Sequence, residues 1–260
     1  MTNPQWDDLR TRLTSGVAMG LLGLAGIIAG GVWFQMLTVF VTAIMVWELW
    51  MMISPDAPVP GMLLAAGTAS VLSGLFFDPV IVAFAIAPPI LGAMALKKER
   101  LTFAAFALAI ILAGWGLVSF RADYGMVWLI WLILVVVVTD IFGYFAGRFF
   151  GGPKFWPAVS PKKTWAGTVA GWLGAAAVGA IFLTFTKAPS SLIFISALMS
   201  LASQTGDIAE SALKRRMGVK DSSTLIPGHG GLFDRFDGLL GASLFMLLIA
   251  LFVDVPRVSL

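Results

Sequence analysis

The sequence predicts an all-α, polytopic integral membrane protein of about nine transmembrane helices with a cytoplasmic N-terminus. Three observations carry this. Hydrophobic residues make up 59% of the 260 and charged residues only 12%, against roughly 25% charged in an average soluble domain. The mean hydropathy is +0.93. The apolar residues also come in stretches close to the about 20 residues that a helix needs to cross a bilayer, with the charges gathered between them.

Taken in order, residues 13 to 47 carry no charge, which is enough for two crossings at about 20 residues each. Gly30 and Gly31 supply a tight turn between them, so spans are expected at 13 to 31 and 33 to 53. The first apolar run is longer than the roughly 7 to 15 residues of a signal-peptide core, and no A-x-A site follows it, so it is expected to stay in the mature protein. Further stretches cover 59 to 76, 79 to 96, 101 to 119, 125 to 143, 165 to 186, 190 to 206 and 238 to 253. Five spans fall in residues 1 to 124, and residues 125 to 260 hold the remaining four spans and all three polar clusters, so this part is expected to be the catalytic region, with its active-site loops in the cytoplasm.

Counted along these spans, the N-terminus and the loops after the even-numbered spans hold fourteen of the 17 basic residues. They are Arg10 and Arg12, then Lys97, Lys98 and Arg100, then Arg148, Lys154, Lys162 and Lys163, then Lys214, Arg215, Arg216, Lys220 and Arg235; Arg121, Lys187 and Arg257 fall on the other side. The positive-inside rule puts the rich side in the cytoplasm. Glycines four apart recur at Gly16 and Gly20, Gly26 and Gly30, Gly143 and Gly147, and Gly167 and Gly171. Such pairs let helix backbones approach closely, so they are read as packing positions rather than as ligand sites. No internal repeat is visible.

There is no cysteine and a single histidine, His229, which excludes thiolate and multi-histidine metal sites. Any metal must sit on oxygen, which points to a hard cation such as Mg²⁺. The net charge of +3 bears on membrane orientation and does not suggest a nucleic-acid partner.

Three polar clusters interrupt the apolar pattern. In TDIFGYFAGRFFG (139–151), Asp140 ends a strongly apolar run, and Asp140, Tyr144 and Arg148 share one helical face. The choice is between a local Asp and Arg packing pair and a functional site, since an ionisable group there is costly. SPKKTWAG (160–167) ends a loop and begins a span. Its lysines and helix start suit an anion, or are ordinary cytoplasmic retention charges. The third cluster is GDIAESALKRRMGVKDSSTLIPGHGGLFDRFD (206–237). Asp207, Glu210, Ser211 and Lys214 fall at i, i+3, i+4 and i+7 on one helix face. The helix should break after Gly218, residues 227 to 231 should be non-helical, and Asp234 and Asp237 sit three apart as the last helix begins. A solvated loop explains the charges but not this spacing. Carboxylates, lysines and glycines together suit transfer of a phosphate-bearing group.

The stretch SALKRRMGVKDSSTLIPGHGGLFDRFD (211–237) resembles the signature of the phosphatidate cytidylyltransferase family, also called CDP-diglyceride synthases. That signature reads S-x-hydrophobic-K-R, four residues, K-D, a small residue, then P-x-H-G-G-hydrophobic-x-D-R-hydrophobic-D, and each fixed position is matched. The resemblance covers 139 to 237, while the first five spans match only in character. One departure is Ala166, where the family commonly has Glu.

The resemblance implies that CTP and phosphatidic acid react, with Mg²⁺ required, to give CDP-diacylglycerol and pyrophosphate at the cytoplasmic face of a bacterial inner membrane. Its other expected partners are the lipid bilayer and, as an admissible one, a second copy of the chain. Asp207, Asp234 and Asp237 are then expected as metal ligands, with Asp140 as a further candidate. Lys163, Lys214, Arg215, Lys220 and Arg235 are expected to hold phosphates. Asp221 and His229 complete the catalytic set, and Lys162, Thr164, Ser211, Gly230, Gly231, Tyr144 and Arg148 the substrate-binding set. A phosphate monoester has its second pKa at about 6, so the attacking oxygen needs no base and His229 is expected to orient a phosphate. The rivals are a CTP-dependent enzyme acting on an isoprenoid lipid and a non-enzymatic transporter. A transporter would place its charges near the midplane rather than at one rim. The D-G-x-x-A-R run of CDP-alcohol phosphotransferases does not occur.

A reporter fused after Leu260 should be non-cytoplasmic; a cytoplasmic signal would overturn the predicted orientation.

Overall fold

The computed structural model describes residues 4–75 and 84–253. Among them the elements run α1 (Pro4–Ala29), α2 (Gly31–Ile53), α3 (Pro58–Leu75), α4 (Ala87–Ala95), α5 (Arg100–Tyr124), α6 (Met126–Phe149), β1 (Lys154–Trp156), β2 (Ser160–Thr164), α7 (Trp165–Leu183), α8 (Ser191–Met217) and α9 (Phe233–Ile249). Each apolar stretch of the sequence coincides with a helix, although 76 to 83, where the fourth stretch begins, lies outside the described residues. Six helices have the length and apolarity to cross a membrane, namely α1 from Arg10 onward, α2, α5, α6, α7 and α8. The chain is therefore an integral membrane protein. The other three, α3, α4 and α9, are shorter, at 18, 9 and 17 residues.

Several helices outrun their apolar stretches, α6 and α8 among them. α6 continues to Phe149 and α8 to Met217, because helix formation needs backbone geometry and not lipid, and Lys, Arg and Glu are good helix formers. Gly218 then takes φ 72 and ends α8 as expected. Where 160–164 reads as a loop, β1 and β2 form an antiparallel hairpin with Lys154 opposite Thr164 and Trp156 opposite Ser160. Strands this short show no period-two pattern in sequence.

The chain divides into two compact units, Met1–Val118 with Met217–Phe236, and Ser119–Arg216 with Asp237–Leu260. In the first, Gly30 at φ 62 lets the chain turn from α1 into α2, a backbone angle that only glycine adopts cheaply. Its core centres on Trp50 and Phe103, both buried and edge-on at 5.7 Å. Gly61 leaves room for the Trp50 indole, whose Nε1 donates to the Ala57 carbonyl at 2.7 Å.

In the second unit, α6 and α7 pack closely because a Cβ at Gly167 would overlap the Gly143 carbonyl. This agrees with the packing role read from their spacing. Gly20 departs from it, with nothing within 4 Å of its Cβ position. A buried polar stripe of α8 holds this unit together. Trp131 Nε1 donates to Ser196 Oγ at 3.0 Å, Thr139 Oγ1 to Ser200 Oγ at 2.7 Å, and Trp172 Nε1 to Gln204 Oε1 at 3.0 Å. These residues of α8 recur every four positions, hence on one face.

Gly167→Ala should lower stability by about 1–3 kcal/mol, the usual cost of overpacking. Thermal unfolding in detergent reads this, and an unchanged midpoint would contradict the close α6–α7 contact.

Candidate active site

In the second unit three helices and the hairpin bring acidic and basic groups together. Asp140 comes from the C-terminal half of α6, Lys163 from β2, Asp207 from α8 and Asp237 from the first turns of α9. Lys163 forms an ion pair with Asp207. Asp207 and Lys163 both act electrostatically on Asp140, and Asp207, Lys214 and Asp140 act on Asp237. Asp237 precedes the last apolar stretch; its removal from water, and then the Asp207 carboxylate, push its pKa up to about 7. Like charges this close resist full ionisation unless a cation joins them.

Along α8 the i, i+3, i+4, i+7 face forms as the spacing implies. Ser211 Oγ donates to Asp207 Oδ1 at 3.3 Å, and Lys214 pairs with the buried Glu210 at 2.5 Å. Two of the three lysines expected to hold phosphates, Lys163 and Lys214, are thus partnered by carboxylates. On α6, Arg148 donates to the Tyr144 hydroxyl at 3.1 Å, and both are exposed. Thr164 caps α7, its side chain accepting from Gly167 N at 3.2 Å. Ala166 stands in that first turn. Lys162, Arg215, Lys220 and Asp221 are exposed.

In the first unit the histidine-containing loop folds around two carboxylates. Asp234 Oδ2 accepts from Ser222 N, Ser222 Oγ and Gly231 N, each at 2.8 Å. Glu48 of α2, with 0% exposure, accepts from Ser223 Oγ at 2.6 Å and Leu232 N at 2.9 Å through Oε1, and from Phe233 N at 2.7 Å through Oε2. The N–H groups of 231, 232 and 233 are therefore all given to side-chain carboxylates. The resemblance puts Gly230 and Gly231 in the substrate-binding set, and the Gly231 N–H is used inside the chain. Gly230, at φ 79, pairs through its carbonyl with Ile226 N at 2.7 Å. A Cβ at Gly231 would overlap Ser222 Oγ and the Glu48 carboxylate.

His229 is tethered from α1. Ser15 Oγ lies 2.8 Å from its Nδ1 and 3.0 Å from the Pro227 carbonyl. Gly16 faces the ring, where a Cβ would stand in ordinary contact, 3.4 Å from Cε1. Arg235 Nε donates to the His229 carbonyl at 3.0 Å.

Ser15, Glu48, Ser222 and Ser223 lie outside the set expected from sequence. Glu48 does carry a signal, as the one charged residue of the 33 to 53 stretch, and ionisable groups in such helices mark functional sites. Ser15 carries none, because a hydroxyl at a helix surface is ordinary. The donor chemistry of Asp140, Asp207 and Asp237 is all oxygen and suits a hard cation. Among the described residues no three acidic side chains yet converge as an ion cage.

The model of the cytidylyltransferase family matches residues 10–253 of the chain. The phosphatidate cytidylyltransferase of Brucella suis biovar 1 (strain 1330) is 44% identical over 138 residues, covering 51% of each chain. That of Staphylococcus haemolyticus (strain JCSC1435) is 38% identical over 154 residues, 56% of this chain and 59% of the relative. That of Bacillus subtilis (strain 168) is 40% identical over 134 residues, half of each. The matched part spans about half the length of these curated relatives.

Because His229 is the only histidine, its imidazole gives a single NMR signature. Ser15→Ala should shift the Nδ1 resonance; an unmoved resonance would refute the α1 tether.

Proposed function

Because the chain belongs to the cytidylyltransferase family, we propose that it transfers the cytidylyl group of CTP to phosphatidate. A phosphatidate oxygen attacks the α-phosphorus of CTP in line, a new P–O bond forms, and the bond to the β-phosphate oxygen breaks. CDP-diacylglycerol forms and pyrophosphate leaves. The observation that supports this most is the meeting of Asp140, Asp207 and Asp237 with Lys163 and Lys214 in one unit. It places both signs of charge at the ends of apolar helices, where a lipid headgroup and a soluble nucleotide can both reach.

Two polyanions must be brought together, so repulsion is the obstacle and neutralisation the main catalytic task. Lys163 and Lys214 exchange their carboxylate partners for phosphate oxygens when substrate arrives. Arg215 and Lys220, exposed, are suited to the leaving pyrophosphate. Asp140, Asp207 and Asp237 would hold Mg²⁺, which when bound neutralises phosphate charge. Asp234, given to Ser222 and Gly231, serves first to shape the loop. His229, turned by Ser15, orients a phosphate rather than taking a proton. The site faces the cytoplasm, on the side rich in Lys and Arg, and the membrane is a bacterial inner membrane.

Purified protein should release pyrophosphate from CTP with phosphatidate and Mg²⁺, and not with polyprenyl phosphate; no release with phosphatidate would remove this reading. Asp207→Asn should lower kcat by about 100-fold or more, the range for losing one electrostatic group. His229→Gln should retain more activity than Asp234→Asn, and the reverse order would restore a base role to the histidine. Asp237→Asn should weaken Mg²⁺ binding, measured by calorimetry, by about tenfold or more.

A further inference from the structure

We propose that Glu48 is a positioning residue, acting on the reaction through the Gly231–Asp234 turn without touching substrate. The inference rests on the cytidylyltransferase reading for its catalytic consequence, and on geometry for the rest. A helix N-terminus leaves its first N–H groups without intrahelical partners, and a nearby Ser, Thr, Asp or Asn commonly takes them. α9 is preceded by Leu232, which has no side-chain acceptor. The acceptor comes instead from Glu48, which lies 184 positions before Leu232 in the chain.

Both carboxylate oxygens are used. Oε1 holds Leu232 N and Ser223 Oγ, and Oε2 holds Phe233 N. Glu48 has no ion-pair partner in its own helix, where the other buried residues are apolar or threonine. Its desolvation is offset by these donors and by the Ser222 hydroxyl. Gly231 is the complement of this arrangement, since any Cβ there would overlap the carboxylate. Ser222 joins the two acids. Its Oγ lies 2.8 Å from Asp234 Oδ2 and 3.4 Å from Glu48 Oε2. The backbone of 231–233 is thus clamped between two carboxylates, and Asp234 and Arg235 follow it directly. Moving Glu48 moves both signature residues.

A purely structural core residue would affect stability alone, whereas a positioning residue lowers turnover with little change in substrate affinity. In intact protein in micelles, Glu48→Gln keeps the shape but turns an amide N–H₂ toward N–H donors. It should speed amide hydrogen exchange at Leu232 and Phe233 by about tenfold. It should also lower kcat by about tenfold or more, with KM for CTP within about twofold. Glu48→Ala should lower kcat further. Leu49→Ala, a buried neighbour on the same helix that makes no hydrogen bond to the loop, should reduce thermal stability without lowering kcat per folded molecule. Unchanged exchange in Glu48→Gln, or an equal kcat loss in Leu49→Ala, would overturn the proposal. If wild-type protein releases no pyrophosphate, the reading of the reaction fails, and the exchange comparison alone decides whether Glu48 seats the turn.

Discussion

A carboxylate drawn into an apolar helix bundle loses its water, and it persists only where other donors take the water's place. Glu48 meets that condition with two backbone N–H groups and a serine hydroxyl. Much of the first unit follows from it. The turn before α9 must pass close enough to donate, so position 231 has no side chain, and Ser222 and Ser223 fall within reach of acids. Asp234 then takes the donors that Glu48 leaves, Gly231 N and Ser222 N. Paired glycines in a phosphate-handling sequence suggest open backbone for a ligand. Here they make room for the protein's own carboxylates.

The second unit solves a different electrostatic problem. Asp140, Asp207 and Asp237 sit within mutual influence, an arrangement that is costly unless positive charge stands among them. Lys163 and Lys214 supply part of it through Asp207 and Glu210. Such pairs are exchangeable. In the proposed reaction an incoming phosphate would compete for the ammonium and a cation for the carboxylate, and the resting ion pairs keep both groups in place. The polar stripe of Ser196, Ser200 and Gln204 leads along α8 toward Asp207. It fixes the register of that helix, with interhelical hydrogen bonds in membranes averaging about 0.6 kcal/mol each.

Close helix contact in this protein comes from missing side chains. Gly143 and Gly167 bring α6 and α7 together, and Gly61 admits the Trp50 indole. Lipid offers no hydrophobic drive between helices, so van der Waals contact over small residues has to hold them. Gly16 belongs to the same spacing pattern yet faces the His229 ring. A four-residue glycine spacing therefore does not by itself say what approaches, since Gly167 meets α6 whereas nothing lies within 4 Å of a Cβ at Gly20.

The helices, the end of α8, the start of α9, the non-helical run after Gly218 and the acid-rich face of α8 were legible in the sequence. Each is governed by neighbours within a few positions, through hydropathy, glycine backbone freedom and the 3.6-residue period. Asp140, Asp207, Asp237 and Lys163 were legible as candidates for the same reason, since a charge beside an apolar run is conspicuous. Their partners were not. Lys163 meets Asp207 across 44 positions, Ser15 meets His229 across 214, and Glu48 meets Phe233 across 185. No local pattern encodes such contacts, because they depend on which helix faces which. Local residue patterns alone establish a membrane chain whose charges gather in polar clusters between apolar stretches. Which donors the acids hold is set by how the helices are arranged in the fold, since a hydrogen bond requires atoms within about 3 Å whatever their separation along the chain.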